Sequence, residues 1–508
     1  MLQDFVFVAL AFLLALTGYY RWRKPSLPVP PGPKGYPIIG NLLDVPSEQL
    51  WVKFLEWSKE YKSDIIYFRV FGSSTIVLNS LKAANDLLSV RSMLYSDRPV
   101  RTMVDELLGW GSLISNLTYG HAWRIRRRAF WQEFNPARSV NHRPRQLWYS
   151  HDLLRRLLKD PDNFLHHIHY SLAASIISAT YGLDVLPEND PNIERAEKAL
   201  DNFKHAAIAG LYLVDVLPFL KYVPSWMPGA GFKRFAEKSR PDTMDMLNAP
   251  FVEGCNRIRE GKNEPSLLSR SLAKGGHSIE DHPDAKLIKD VTGVAYVGGA
   301  ETTKAALSTF IAAMLLYPEV QKKAQQEVDS FNRSRLPLFE DLPNMPYVHA
   351  IMLEVLRWQS VLPLAIAHRL TMDDEYKGYY IPKGSIVFVN VWALLRDEEY
   401  YPDPDTFRPE RFLKDGKINP KVADLIPNFG FGRRICPGRF FAIDSLWLNI
   451  ASILTVFDIT KAKDEEEREI EPDIQWTPNF TRHIIPFKCS ITPRSSEAGK
   501  LIRDSELI

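Results

Sequence analysis

Residues 429–438 of this 508-residue chain read Phe-Gly-Phe-Gly-Arg-Arg-Ile-Cys-Pro-Gly, and the cysteine in this stretch is one of only three in the chain. Gly432 and Gly438 allow the backbone to approach a flat ligand closely or to take a positive φ. Nearby arginines and a helix N-terminus directly behind are expected to lower the pKa of the Cys436 thiol. A thiolate beside an open, glycine-rich loop has the chemistry of an iron ligand.

The spacing around Cys436 distinguishes it from an ordinary buried cysteine in a turn, which is the alternative reading of a lone cysteine. Pro437 has no N–H group and suits the first turn of a helix, which the apolar run 440–457 supplies. Phe-x-x-Gly-x-Arg-x-Cys-x-Gly has five fixed positions, so a chance match is expected about once in ten thousand chains of this length. The stretch resembles the haem-binding loop of the cytochrome P450 family, in which the cysteine thiolate is the axial ligand of the haem iron.

The bulk composition argues against several other classes of protein. A net charge of +2 argues against nucleic acid as a partner. Cys255, Cys436 and Cys489 form no Cys-x-x-Cys pair, which argues against both a disulfide framework and a zinc site. Because the cysteines form no disulfide framework, we expect the folded part to lie in a reducing compartment. The hydrophobic fraction of 45% is ample for a large buried core.

The N-terminal residues 1–20 form an apolar run whose one charged residue is Asp4. As a helix the run spans about 30 Å, enough to cross a bilayer. Arg21, Arg23 and Lys24 follow at once, which places the remainder of the chain in the cytosol. A cleaved signal peptide is the alternative, but the segment lacks a basic start and an Ala-x-Ala site. Because such anchors are general in microsomal members of the family, we expect a single-pass protein of the endoplasmic reticulum membrane with a cytosolic catalytic domain.

Residues 21–40 are basic at first and then rich in proline and glycine. Such a segment is stiff and extended, and it resembles the hinge of the membrane-bound members of the family. We therefore divide the chain into an anchor (1–20), a hinge (21–40), a cytochrome P450 catalytic domain (41–495) and a polar C-terminal tail (496–508). The tail is expected to fray.

The sequence predicts a mainly α-helical catalytic domain with a small β-rich subdomain, which the resemblance identifies as the cytochrome P450 fold. Apolar periodicity predicts helices over 50–61, most of 147–274, 286–317 and 347–358. Hairpins are predicted over 65–79, with the turn at 71–74, and over 378–389, with the turn at Pro382-Lys383-Gly384. The apolar loop 217–232 either enters the membrane or covers a pocket.

A second motif is Trp123-x-x-x-Arg127, in which the two side chains share one face of a helix. Read alone, this basic stretch fits a solvated helix surface. It resembles the helix of the family whose tryptophan and arginine contact a haem propionate. Arg124 and Arg128 lie on a neighbouring face, available to an acidic electron-donor protein.

A third motif, Gly298-Gly299-Ala300-Glu301-Thr302-Thr303, interrupts the long apolar helix 286–317. Each glycine inside a helix costs about 1 kcal/mol against alanine, so the small residues need another reason, such as a ligand lying against the backbone. Thr302 can donate back to the Gly298 carbonyl, and close helix packing with a back-bonded threonine is the structural alternative. The stretch matches the oxygen-activating Gly-x-(Asp/Glu)-Thr motif of the family, in which Glu301 and Thr302 would be the catalytic acid and alcohol.

Two further groups of residues gain meaning from the resemblance. Glu354 and Arg357 have salt-bridge spacing on a helix, and the family completes this pair with an arginine, here Arg411 in Pro-Glu-Arg-Phe. Their expected role is structural, to hold the loop that leads to Cys436. His368, Arg434 and Arg98 are further candidates to bind the haem propionates, although a surface role would also explain His368.

The wording of the motifs resembles that of fungal members of the family. The resemblance implies a haem-thiolate monooxygenase that inserts one atom of O2 into a lipophilic small molecule by hydroxylation or epoxidation. Its cofactor would be haem b. The chain has no flavin or dinucleotide fingerprint, so electrons would come from NADPH through a separate flavoprotein, NADPH–cytochrome P450 reductase, with cytochrome b5 as a second donor. A non-oxidative haem isomerase or dehydratase and a haem-binding sensor are the alternatives, and neither needs the acid–alcohol pair. The apolar segments 107–110 and 362–366 and Phe480 are candidates to line the substrate pocket, but the sequence does not identify the substrate.

Overall fold

A computed structural model describes residues 27–207, 212–262, 264–274, 278–279, 281–331, 334–423 and 427–507. The predicted anchor at 1–20 and the basic start of the predicted hinge lie outside the described residues. Short helices and 3₁₀ or π turns are named below by their residues.

The helices of nine or more residues in the described chain are numbered α1 to α11. They are α1 (Leu50–Glu60), α2 (His121–Phe134), α3 (Arg143–Lys159), α4 (Phe164–Tyr181), α5 (Pro191–Ala206), α6 (Gly231–Arg259), α7 (Ala285–Leu316), α8 (Pro318–Phe331), α9 (Pro346–Trp358), α10 (Arg439–Val456) and α11 (Ser496–Asp504). Shorter α-helices span Leu81–Ala84, Ser92–Tyr95, Pro136–Ser139, Leu213–Val216, Leu267–Leu272, Val391–Leu394 and Pro420–Ala423.

The strands are short and form one larger sheet and three pairs. They are β1 (Ile65–Val70), β2 (Ser73–Leu78), β3 (His368–Arg369), β4 (Asp374–Tyr376), β5 (Tyr379–Ile381), β6 (Ile386–Val389), β7 (Leu413–Lys414), β8 (Lys417–Ile418), β9 (Phe457–Lys461) and β10 (Cys489–Pro493). The sheet has the order β1-β2-β6-β3, in which β2 and β6 are parallel and the other neighbours are antiparallel. The predicted mainly helical fold with a small β-rich part is confirmed.

Helix α7 runs through the middle of the molecule and contacts α2, α4, α6, α9 and α10. Its second half is buried on every side because alanine and other small residues let the neighbouring helices approach closely. Helix α10 is apolar and long enough to cross a membrane, but 72% of it is buried inside the protein. It is therefore read as a core helix, which carries the cysteine loop at its N-terminal end.

Several predicted elements are found with small shifts of their ends. The predicted helices at 50–61, 286–317 and 347–358 correspond to α1, α7 and α9. The first predicted hairpin is also found, although its turn is only Phe71-Gly72 and β2 begins two residues earlier than predicted. Pro437 lies before α10 rather than in its first turn, because the helix begins at Arg439 after Gly438.

The predicted hairpin over 378–389 is wrong. Strand β5 pairs with the preceding β4 around the turn Lys377-Gly378, and β6 pairs with β2 and β3. Pro382-Lys383-Gly384 does form a turn, but the Gly384 N–H donates to the Leu370 carbonyl, which directs the chain back to the larger sheet. Local turn signals place a bend correctly but do not decide which strand becomes the partner.

Both ends of the described chain are more closely attached than the sequence predicts. The expectation that the polar tail frays is wrong, because α11 is capped by Ser495 and its Ile502 side chain is fully buried. In the predicted hinge, the Tyr67 N–H donates to the Pro31 carbonyl and the Tyr380 N–H to the Pro28 carbonyl. The hinge residues from 28 onward therefore contact the β-rich subdomain.

Candidate active site

The cysteine loop packs tightly against the backbone of Leu88 and Ser89, which lie far away in the sequence. A Cβ atom on Gly432 would lie 2.1 Å from the Leu88 carbonyl oxygen, and the φ of Gly432 is +50°, so glycine is required here. The Cys436 N–H donates to the Phe429 carbonyl at 2.7 Å. Gly438 has a φ of −91°, so the positive φ expected of the two glycines applies to Gly432 and not to Gly438.

The thiol of Cys436 does not have the low pKa that its neighbours predict. Burial raises the pKa of this thiol above its ordinary value. The backbone N–H groups of Gly438 and Arg439 and the charges of Arg127 and Arg439 act in the opposite direction and favour the thiolate. The expectation of a lowered pKa is therefore wrong for the polypeptide by itself, although the predicted causes are present.

Helix α2 places Trp123 and Arg127 on the side that faces the cysteine loop. The Trp123 ring is buried, and its indole Nε1–H has no hydrogen-bond partner among the described residues. Arg127 acts electrostatically on Cys436, and burial lowers the pKa of Arg127 to about 10. Buried donors of this kind normally have an acceptor, so this face of α2 has the character of a binding surface for an anion.

Arg434, two residues before Cys436, is buried and bonds only to backbone carbonyls in the contacts described. Its Nε, Nη1 and Nη2 atoms donate to the carbonyls of Ser96, Ile114 and Leu117 at 2.7, 3.1 and 2.7 Å. The guanidinium also lies over the Trp123 ring, 4.6 Å from its centroid. Arg434 therefore joins the cysteine loop to the segment 96–117 and to α2.

Arg98 and His368 lie in the same buried region. Arg98 donates to the carbonyls of Ser115, Ile366 and Ala367 at 3.0, 2.6 and 2.7 Å. His368 places its Nδ1 atom 2.7 Å from the Tyr95 carbonyl, and burial holds the pKa of His368 well below its ordinary value. His368 is therefore a buried histidine, so the surface alternative is wrong.

Buried positive charge is concentrated near the cysteine loop. Arg434 interacts electrostatically with both Arg98 and Arg127, and among the described residues Asp97 is the carboxylate that acts on Arg98 and Arg434. Asp97 is itself paired with Arg369 at 2.5 Å. Buried charges are normally paired, and the two propionates of haem would supply the missing negative charge. The residues present therefore fit the haem that the sequence predicts.

On α7, the two glycines have different environments. A Cβ atom on Gly298 would meet nothing within 4 Å, whereas one on Gly299 would lie 2.8 Å from Cγ1 of Ile176 on α4. Thr302 donates to the Gly298 carbonyl at 2.8 Å, as predicted. Gly299 thus serves close helix packing, the structural alternative, while Gly298 leaves an open surface beside Thr302.

Glu301 points into a cluster of basic side chains. Its carboxylate lies 3.5 Å from Nδ1 of His169 and Nζ of Lys204, and 3.7 Å from Nζ of Lys304 and Nε2 of His483. Burial favours the protonated acid, but these groups together lower the pKa of Glu301 below its ordinary value. Glu301 is thus an ionised, buried carboxylate, next in sequence to the open surface at Thr302.

The structure brings Glu354, Arg357 and Arg411 together as a buried ion-pair triad. Arg357 donates to both oxygens of Glu354 at 2.7 and 2.9 Å, and Arg411 donates to the same carboxylate at 3.1 Å. Arg357 also donates to the Leu395 carbonyl. Behind the cysteine loop, the Asn428 side chain donates to the Leu356 carbonyl, which links the loop to α9.

Sequence reasoning missed the residues around Glu301. His169 stands in the stretch His166-His167-Ile168-His169, whose neighbouring side chains point apart on a helix and so give no sign of a site. His166 is exposed, and His167 contacts the Asp160 carbonyl instead. Lys204 on α5 and His483 near the C-terminus give no signal in the sequence, because nothing local shows that they lie near α7.

The comparisons with known proteins agree with this geometry. The family model "Cytochrome P450" matches residues 30–489. The chain is 43% identical over 483 residues to cytochrome P450 monooxygenase ple1 of Rhodocybe pseudopiperita, covering 95% of this chain and 92% of that protein. It is 40% identical over 507 residues to tryptamine 4-monooxygenase of Psilocybe cyanescens, covering 97% and 99%. This chain belongs to the cytochrome P450 family and is a cytochrome P450 monooxygenase.

Proposed function

We propose that this cytochrome P450 inserts one oxygen atom of O2 into a neutral lipophilic molecule, with electrons delivered from NADPH by a separate flavoprotein. The observation that carries the proposal is the group of three buried cations, Arg98, Arg127 and Arg434, near the loop of Cys436, with Asp97 as the carboxylate that acts on two of them. A cysteine in a glycine-rich loop beside an excess of buried positive charge fits a thiolate-bound haem with two propionates.

In this proposal Cys436 would bind the haem iron, and Trp123 and Arg127 would hold a propionate. Arg98, His368 and Arg434 fix the surrounding backbone, since their side chains form hydrogen bonds with backbone carbonyl groups. When bound, haem supplies the activation of O2. The polypeptide supplies the ligand, the orientation and the protons.

Thr302 and Glu301 are proposed to transfer the protons that the reaction consumes. The Thr302 hydroxyl borders the open surface at Gly298, where its hydrogen can turn from the Gly298 carbonyl toward a bound molecule. Glu301, held ionised by its basic neighbours, can receive a proton from outside and pass it on. Both side chains project from the same largely buried helix, α7, whose packing limits where the carboxylate and the hydroxyl can move.

The decisive experiment is the reduced, CO-saturated difference spectrum of the purified full-length protein. We expect a Soret band at the long-wavelength position typical of thiolate ligation, and NADPH-dependent product formation when the reductase is added. A spectrum without thiolate ligation, or turnover that does not require the reductase, would contradict the proposal.

The proposal of a neutral substrate is based on the charges around Glu301. A cationic amine needs an available carboxylate, but Glu301 is already engaged by Lys204 and Lys304. The half-exposed apolar side chains of Leu107, Leu362, Ile366 and Phe480 fit a lipophilic molecule. A spectral screen of terpenoids, steroids, fatty acids, neutral aromatics and tryptamine tests this; a shift with tryptamine alone would contradict it.

The electron donor is proposed to dock on a basic patch made of Arg124, Arg128 and Arg433. All three are exposed, and Arg124 and Arg433 lie over the same ring, that of Tyr119. Because Arg433 belongs to the cysteine loop, this patch lies next to the loop that carries Cys436. NADPH–cytochrome P450 reductase is the proposed donor, with cytochrome b5 as a second one.

Charge reversal tests the patch. Arg124→Glu with Arg128→Glu should weaken reductase-supported turnover about tenfold at low salt and remove its decline with added salt, because salt then screens a repulsion instead of an attraction. Lys500→Glu, an exposed site on α11, is the matched control and should behave like wild type. Equal salt dependence in all three proteins would contradict the docking site.

Localisation is proposed to follow from the predicted anchor at 1–20, with the catalytic domain on the cytosolic face of the endoplasmic reticulum. Phe219, Tyr222 and Trp226, which are 63%, 76% and 78% exposed, offer a second contact with the bilayer. The full chain should stay with membranes after alkaline carbonate extraction, and Leu13→Lys with Leu14→Lys should release it. Extraction of the unaltered chain would contradict the anchor.

A further inference from the structure

A small cavity lies between α4, α5 and α7 on the side of Glu301. Its volume is about 10 Å³, and its polar lining comes from His169, Glu197, Glu301 and Tyr296. A volume of this size holds about one water molecule, and a buried water needs two to four polar partners, which this lining offers. The remaining lining is apolar, which confines a water molecule to the polar groups.

His169 lies between two carboxylates, one at the surface and one inside. Its Nε2 atom is 2.9 Å from Oε1 of Glu197, and its Nδ1 atom is 3.5 Å from Oε1 of Glu301. The side chain of Glu197 is 49% exposed, whereas that of Glu301 is 9% exposed. An imidazole can take a proton at one nitrogen and release another from its second nitrogen.

We propose that Glu197, His169 and this cavity form a proton inlet, which leads from solvent to the Glu301 carboxylate without passing through the substrate pocket. The inference rests on the proposed function, because Glu301 is a proton donor only in an oxygenase. His169 is here a positioning residue that acts through Glu301.

The proton balance of the inlet is simple. Glu197 takes a proton from bulk water and gives it to Nε2 of His169. The imidazolium then releases its Nδ1 proton to Oε1 of Glu301, which leaves a neutral ring protonated at Nε2. Exchange of protons with water then moves the ring hydrogen from Nε2 to Nδ1, which resets the ring for the next transfer.

The other groups that face Glu301 are poorer proton carriers. His483 also lies 3.7 Å away, but burial lowers its pKa to about 4, so this ring stays neutral near pH 7. Lys204 and Lys304 approach Glu301 within 3.5 and 3.7 Å, but ammonium groups in general hold their protons far more tightly than imidazolium does. These lysines favour the ionised carboxylate, which is the form that accepts a proton.

The first test is independent of turnover. In two-bond proton–nitrogen NMR spectra of histidine-labelled full-length protein, the His169 signals are identified by their loss in His169→Gln. Glu301→Gln and Glu197→Gln should each shift these signals, because both carboxylates lie close to the ring. His166→Gln, an exposed site on the same helix, should leave them unchanged. If the His169 signals keep their wild-type chemical shifts in both carboxylate variants, the inlet is overturned.

The second test uses the haem-loaded protein with reductase and the compound that gives the largest shift in the spectral screen. His169→Gln should lower product per NADPH about five- to tenfold and should increase the solvent deuterium isotope effect, while the substrate dissociation constant stays the same. Glutamine keeps a polar side chain of similar reach but cannot carry a proton, so a purely structural role would not raise the isotope effect.

Glu197→Gln keeps the inference testable if His169→Gln does not fold, because Glu197 is half exposed. Glu197→Gln should shift the pH profile of coupling and lower the product formed per NADPH about two- to threefold. His166→Gln should match wild type. Wild-type coupling and isotope effects in both inlet variants would overturn the inlet alone. Absence of reductase-dependent turnover in the wild type would instead overturn the proposed function, whatever the NMR result.

Discussion

The surroundings of Cys436 and those of Glu301 are two regions in which charged groups are buried, but by different means. Around Cys436, the guanidinium groups of Arg98 and Arg434 are held by backbone carbonyls at 2.6 to 3.1 Å. Around Glu301, four basic groups approach one carboxylate at 3.5 to 3.7 Å. The first region is fixed by short directional hydrogen bonds, and the second depends on longer electrostatic contacts.

This difference indicates different tasks for the two regions. Short bonds to backbone carbonyls give each guanidinium one position, as a site that holds a large rigid cofactor requires. Longer contacts to a carboxylate leave room for a proton or a water molecule to move between the groups. The molecule therefore combines a rigid binding region with a region in which protons can be rearranged, and the following experiments test that distinction.

The largest effect is expected from Cys436→Ser in the rigid region. A serine hydroxyl is a poor iron ligand, so the long-wavelength CO band should disappear and product formation should fall below the detection limit. Cys255→Ser and Cys489→Ser, at the two other cysteines, are the controls and should retain the band. A Cys436→Ser protein that still turned over substrate would show that the cysteine loop is not the ligand site.

The next effect is on stability. Glu354→Gln should reduce the free energy of unfolding by about 3–5 kcal/mol, because it leaves two buried arginines, Arg357 and Arg411, without a countercharge. Glu467→Gln, which breaks the exposed pair with Lys463, should change the free energy of unfolding far less, because solvent screens an exposed ion pair. Chemical denaturation and haem content of the purified proteins measure the difference. Equal losses in the two variants would show that burial of the triad adds nothing.

Thr302→Ala acts in the second region and should have an intermediate effect. Product per NADPH should fall about tenfold and hydrogen peroxide should accumulate, because the hydroxyl beside the open surface is lost. Thr302→Ser retains a hydroxyl and should keep most of the coupling. An unchanged coupling ratio in Thr302→Ala would favour the non-oxidative or sensor alternatives over the oxygenase.

The smallest effect concerns pH. Burial lowers the pKa of His142 to about 4, below the ordinary value of about 6.5, so the unfolded chain binds more protons between these values. The stability contribution is therefore complete above about pH 6.5 and is lost as the pH falls toward 4, by at most roughly 3 kcal/mol. His142→Phe removes the titrating ring and should therefore flatten this part of the pH–stability curve. The packing should be kept, because the imidazole stacks on Phe134 and a phenyl group can do the same.

A matched variant sharpens the interpretation of this curve. His166→Phe, at an exposed position, should leave the slope between pH 6.5 and 4 as it is in the wild type. His483 in the Glu301 region has a pKa of about 4 as well, so part of the slope should persist in His142→Phe. A curve that is flat in the wild type would contradict the burial of both rings.

The sequence predicted the rigid region better than the other one. The pair Glu354 and Arg357 lies three residues apart on one helix, and Trp123 and Arg127 lie four apart, so helical geometry alone brings them together. The pairing of β6 was predicted wrongly because its partners β2 and β3 belong to distant parts of the chain. The fraying of the tail was also predicted wrongly, since Ile502 finds its buried environment only in the folded molecule.

The sequence by itself determined the family, the cysteine loop and the helix that carries Glu301 and Thr302. These features depend on the order of neighbouring residues, and the physics of turns and helices acts over the same short distances. Only the tertiary structure decided that His169, Lys204 and His483 surround Glu301 and that the half-exposed Glu197 lies against His169. Their arrangement comes from the packing of helices distant in sequence, and a buried carboxylate responds to every charge within a few ångströms, whatever its place in the chain.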